Sequence, residues 1–129
     1  MKVGPSRAIA FVVDDEGVIA STIELILISK GFEARSFVDP HDALEAARLD
    51  SPHLLLTDVV MPRMNGIELA IQIRQLHPSC AVLLSSGQTE TAGLLEDAIR
   101  AGYEFPIVAK PIHPDALMAK IEELLASPL

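Results

Sequence analysis

Four polar signals stand apart in this chain, each directly after a short apolar run. Asp14-Asp15 follow AIAFVV (8–13), Asp58 follows HLLLT (53–57), Ser86-Gly87 follow AVLLS (81–85), and Lys110-Pro111 follow IVA (107–109). Brought to one point, three carboxylates, a hydroxyl and an ammonium can hold a divalent cation and a phosphoryl group together. Mg²⁺ prefers oxygen ligands in an octahedron and keeps several waters, so two carboxylates and one backbone carbonyl suffice from the protein. Val60, two residues after Asp58, is placed to offer that carbonyl. Adjacent acids on an extended chain point to opposite sides. One of Asp14 and Asp15 is therefore expected to ligate directly and the other through water. Carboxylates this close repel, which should raise at least one pKa.

The remaining groups suit a phosphoryl group. Lys110 supplies a compact positive charge, Ser86 a hydroxyl, and Gly87 a backbone N–H that no Cβ obstructs. With a metal they would neutralise the oxygens of a transferring phosphoryl group. A carboxylate is then a fitting nucleophile and would form an aspartyl phosphate. The Lys110-Pro111 bond is a candidate cis peptide. Taken singly the pieces are weak: an Asp pair reads as a solvated loop, a strand-end Asp as a helix cap, a Lys-Pro as a turn. Their shared position at the ends of apolar runs is what carries the reading.

Those runs must be strands, and the intervening segments helices. AIAFVV has no alternation and strong strand formers, as expected of a strand buried on both faces. Residues 17–30 read as a helix stopped by Gly31. FEARSF (32–37) alternates, as a half-exposed edge strand would. Asp39-Pro40 is an N-cap followed by proline in the first turn, opening a helix to about Leu49. Further helices are expected over Gly66 to about Leu76, over 89–101 before Gly102, and from Pro114 to about Ala126. Five strand–helix units with short connections imply one α/β domain over residues 1–129, core about 8–126. Its doubly wound parallel sheet carries helices on both faces, and its ligands lie at the strands' carboxyl ends.

Composition excludes other classes. Half of the 129 residues are apolar, which supports a packed core and not disorder. Eighteen acids against ten bases, net −8, with no basic tail, give nucleic-acid binding no electrostatic support. The lone Cys80 excludes an internal disulfide and fits a reducing compartment. There is no signal-peptide pattern and no apolar run long enough for a membrane span. A cytoplasmic location is the expectation. His41, His53, His77 and His113 lack metal-ligand spacing. Cys80 reads as a small core residue.

The set of motifs VVDDE (12–16), LLLTDVVMPRMNG (54–66), LLSSG (83–87) and VAKPI (108–112) resembles the receiver domain of bacterial two-component response regulators. The spacing also fits, with 43 residues from Asp15 to Asp58 and 52 more to Lys110. The resemblance runs from about Ala8 to Ala126. It implies the flavodoxin-like strand order 2-1-3-4-5 and a phosphoryl group passed from a histidine kinase or histidine phosphotransfer protein to Asp58. It further implies Asp14, Asp15, Asp58 and the Val60 carbonyl as Mg²⁺ ligands, Ser86 as the switch hydroxyl, and Lys110 as the phosphate contact. Downstream partners are expected on the fourth helix, fifth strand and fifth helix.

One departure stands out: the family usually has Tyr or Phe three residues before the lysine, where this chain has Ile107. Gly93 weakens the fourth helix. Two alternatives compete. One is a phosphotransferase of the haloacid dehalogenase type, which would need Asp-x-Asp where this chain has Asp14-Asp15-Glu16. The other is a receiver-fold scaffold that works without phosphorylation. On the first helix, Ile19, Ile23, Ile26 and Leu27 form the expected core stripe. Val18, Leu25 and Ile28 form a second stripe, either tucked under neighbouring loops or exposed as a docking face. Val60 and Gln88 flank the water path to an aspartyl phosphate. Neither is a base, so slow autodephosphorylation is expected.

Overall fold

The computed structural model describes residues 8–87 and 91–126. Gln88 and the Ser127-Pro128-Leu129 end lie outside the described residues. In chain order the elements are β1 (Ile9–Val13), α1 (Gly17–Ser29), β2 (Glu33–Phe37), α2 (Pro40–Leu49), β3 (Leu54–Asp58), α3 (Gly66–Leu76), β4 (Ala81–Ser86), α4 (Thr91–Arg100), β5 (Ile107–Ala109) and α5 (Pro114–Ala126). All strand pairings are parallel, in the order β2-β1-β3-β4-β5. The expected order and fold class are the observed ones.

The strands sort their side chains by parity. Phe11, Val13, Leu55, Val82 and Leu84 pack with α2, α3 and α4 residues such as Ala43, Ala70, Ile73 and Ala98. Ala10, Val12, Leu54, Leu56 and Leu83 pack on the other side with Ile23 and Leu27 of α1 and Leu117 and Ile121 of α5. Continuous apolar runs are required because both faces are covered.

Local signals set the element ends. Asp39 accepts the His41 N–H at the start of α2. Asn65 and Glu68 form a reciprocal capping box on α3. At the end of α1, Gly31 adopts a left-handed φ of 100°. Phe32 N–H then reaches the Leu27 carbonyl and Gly31 N–H the Ile28 carbonyl, which satisfies two orphaned acceptors. Gly102 ends α4 in the same way.

The second stripe of α1 is not tucked under loops: Val18 is 80% exposed, Leu25 67% and Ile28 45%. Cys80 is buried, and burial pushes its thiol up to about 12 against the pull of Arg74. It is a core residue, as its sequence context implied.

Candidate functional site

The carboxyl ends of β1, β3, β4 and β5 converge on one point. Asp58 is the last residue of β3, one position beyond the run read from sequence, because the ladder continues: it pairs with Ser85, and Val59 N–H reaches the Ser85 carbonyl at 3.1 Å. Asp14 lies just past β1 and donates its N–H to the Phe37 carbonyl. Both carboxylates are held under the surface, at 2% exposure for Asp14 and 8% for Asp58. Lys110, just past β5, places Nζ 3.0 Å from Asp14 Oδ2 and 3.2 Å from Asp58 Oδ2. Its backbone N–H is tied to the Ser86 carbonyl at 3.1 Å. Ser86 is buried at the end of β4, and Gly87 is exposed beside it. A Cβ on Gly87 would touch Lys110 Cβ at 3.4 Å, so the two loops run close together. The Lys110–Pro111 peptide is cis.

One expectation needs correction. Asp14 and Asp15 were expected to point to opposite sides. One carboxylate oxygen from each of Asp14, Asp15 and Asp58 lies within 4.8 Å of the others. The alternation rule applies to strand residues, and both acids lie past the last residue of β1. The chain turns there, with Asp14 Oδ1 accepting the Glu16 N–H at 2.9 Å, and Asp15 swings to the same side at the surface.

The electrostatics follow from this crowding. Burial pushes the Asp58 carboxyl above its ordinary value of 3.8; Lys110 pulls it back, and the Asp14 and Asp15 charges add to the rise. Burial pulls the Lys110 ammonium down, but its hydrogen bond to Asp14 and the charges of Asp14 and Asp58 outweigh that and hold it above the ordinary range. Three carboxylates against one ammonium leave surplus negative charge. All the donors are hard oxygens within reach of one centre, so the residues fit a small divalent cation.

The loop after Asp58 is more firmly built than its sequence implies. Met61 and Met64 are buried in the core. Gly66 packs on the acceptor's own backbone: a Cβ there would stand 1.9 Å from the Asp58 carbonyl oxygen. Its N–H bonds the Val59 carbonyl at 2.8 Å, and the Thr57 hydroxyl bonds the Asp58 carbonyl at 3.0 Å. Sequence reasoning marked Asn65-Gly66 as part of a motif and missed this steric role. Glu68, three residues after Asn65, was the available signal for a capping box at this turn. Val60, between the acceptor and this anchor, is partly exposed.

Other sequence candidates stand apart. His53 and His113 are exposed, and His77 braces α2 through its Nε2 and the Ala47 carbonyl at 2.6 Å. Ile107 is 39% exposed on β5. The nearby aromatics are in the core on the α2–α4 side, Phe105 stacked on Tyr103 at 5.9 Å with the Arg74 guanidinium over its ring.

A family model for the response regulator receiver domain matches residues 10–122. The chain belongs to that family. The DNA-binding transcriptional regulator NtrC of Escherichia coli (strain K12) is 31% identical over 123 residues, 93% of this chain and 25% of that protein. The transcriptional regulatory protein CreB of the same organism is 31% identical over 119 residues, 92% of this chain and 51% of that protein. The chain thus spans between a quarter and about half of these relatives. Among solved structures, NtrX from Brucella abortus in complex with ATP superposes with a TM-score of 0.79 at 32% identity, covering 92% of this chain and 27% of that one. The Vibrio cholerae chemotaxis protein CheY4 gives 0.82 at 22% identity, covering 92% and 99%, a likeness of fold. This receiver domain is a phosphoacceptor module of two-component signalling, and the dehalogenase alternative falls with the family assignment. Among the described residues no helix is long and apolar enough to cross a membrane.

Proposed function

We propose that this receiver domain takes a phosphoryl group onto Asp58 and changes its partner affinity in response. The observation that carries the assignment is the buried Asp58 carboxylate, 3.2 Å from the Lys110 ammonium and grouped with Asp14 and Asp15. The donor is a histidine kinase or histidine phosphotransfer protein. An Asp58 carboxylate oxygen attacks phosphorus, the donor's P–N bond breaks, and the imidazole leaves with the bond's electron pair. Asp14, Asp15, Asp58 and the Val60 carbonyl would hold Mg²⁺, which when bound supplies positive charge to the phosphoryl oxygens. Lys110 stabilises the developing negative charge, and the Ser86 hydroxyl and Gly87 N–H hydrogen-bond the product. The chain supplies these groups itself, so a small phosphodonor suffices, and the product reverts by slow hydrolysis.

The readout follows from charge. A dianion at the strand end draws Ser86 and the segment after it toward the site. The change would reach partners through α4, β5 and α5. The exposed Val18, Leu25 and Ile28 stripe of α1 is the docking face for the donor.

Incubation with acetyl phosphate and Mg²⁺ should add one phosphoryl group by intact mass, and Asp58→Asn should abolish it. Equal labelling of both proteins overturns the acceptor assignment. Replacing Val18 and Leu25 by Ser should slow transfer from a protein donor while sparing acetyl phosphate labelling; equal loss with both donors indicates a folding defect.

A further inference from the structure

The loop from Asp58 to Gly66 carries a strained turn with a tether. Arg63 has a φ of 74°, the only positive value on a non-glycine among the described residues. Met64 N–H reaches back to the Pro62 carbonyl at 2.9 Å, so Arg63 is the central residue of a γ-turn of the rare positive-φ kind. A side chain with a Cβ enters that region at a cost. The Arg63 guanidinium leaves the turn and meets Asp39 Oδ2 at 2.6 Å, across 24 residues of sequence. Asp39 is itself fixed, because its other oxygen accepts the His41 N–H at the start of α2. Asp15, Val38, Asp39, Pro40, Pro62 and Arg63 together line a cavity of about 210 Å³. The tether therefore borders the same cavity as Asp15, the exposed member of the carboxylate cluster.

We propose that the Arg63–Asp39 ion pair is a positioning clamp. It holds the strained turn against the start of α2 and so sets where the loop after Asp58 stands relative to Asp15. Arg63 touches no reacting group; it acts through the loop backbone, which carries Val60 between the acceptor and the turn. The clamp lowers the cost of organising the cation site, because the loop is placed before a cation arrives. The inference rests on the Mg²⁺-dependent acceptor reading above.

Three variants separate the causes. Arg63→Ala removes the ion pair and keeps a Cβ in the turn. Arg63→Gly removes the pair and relieves the backbone. Asp39→Asn keeps a good N-cap and removes the charge partner. In Mg²⁺-free protein, amide hydrogen exchange at Met64 and Gly66 should quicken about two- to fivefold in all three, as loss of a largely exposed ion pair implies. Leu83 in the central sheet should be unchanged. Mg²⁺ titrated alone should bind each variant more weakly by a similar factor. Arg63→Ala matching wild type in both measurements overturns the clamp, since the strained backbone then holds the turn unaided. Faster exchange with unchanged Mg²⁺ affinity also overturns it, as the tether is then only structural. Absence of Asp58 labelling in wild type is a separate outcome and would remove the underlying reading instead.

Discussion

The two ends of the same sheet are built differently. At the amino end the strands begin with backbone pairings: Glu33 N–H to the Ala8 carbonyl, His53 N–H to Ile9, Ala81 N–H to His53. The notable side-chain contact there, Ile9 N–H to His53 Nδ1 at 2.9 Å, is exposed and neutral in kind. At the carboxyl end the backbone ladder is equally complete, yet polar side chains are driven inside. The described residues' buried polar side chains are Asp14, Thr57, Asp58, Ser85 and Ser86, each in the last two positions of a strand or just past one. Burying charge costs stability unless it is compensated. One end of the sheet is therefore organised for folding, and the other gives up stability for a reactive site.

The largest way to break this contrast is to strike the support under the acceptor. Gly66→Ala forces a Cβ to within 1.9 Å of the Asp58 carbonyl, against backbone that cannot yield as a flexible side chain would. A loss of about 3 kcal/mol or more in a denaturant melt, with labelling by acetyl phosphate abolished, is the expected outcome. A well-folded, fully labelled Gly66→Ala protein would show that the close packing is dispensable.

A second test sharpens the contrast through pH. The Asp58 pKa is raised in the fold, so the protonated form is favoured there. Stability from this group is in place below the unfolded value near 3.8 and is lost as pH rises through the folded pKa. Asp58→Asn should therefore stabilise the Mg²⁺-free protein at neutral pH, read as a higher denaturant midpoint. The gain should shrink as pH falls toward 3.8. A destabilised Asp58→Asn at pH 7 would mean that the Lys110 attraction outweighs burial.

The smallest effect belongs to the amino end. His53→Ala frees an exposed N–H that water can satisfy, so a cost of about 0.5–1 kcal/mol is expected. Its acetyl phosphate labelling should equal that of wild type. A labelling defect in His53→Ala would show that the two ends are coupled through the sheet.

Much of this was legible in the residues. Apolar runs ending in Asp, Ser-Gly or Lys-Pro marked both the strands and their ligand end, because a strand covered on both faces has no other place for a charge. The cap at Asp39 and the stop at Gly31 were legible because each depends on hydrogen bonds within a few residues. The convergence of Asp14 with Asp15 was misread. It depends on where β1 stops, and that is decided by pairing with β2 and β3 rather than by the acids themselves.

The sequence by itself determined the fold class and placed Asp14, Asp15, Asp58, Ser86 and Lys110 at the carboxyl ends of strands. Each of these follows from local pattern and residue type. Only the tertiary structure decided that Lys110 spans Asp14 and Asp58, that Gly66 must lack a side chain, that α1 keeps its second stripe exposed, and that Arg63 reaches Asp39. Those facts depend on distances between residues far apart in the chain. They exist only once the packing of helices on the sheet has set how the loops meet.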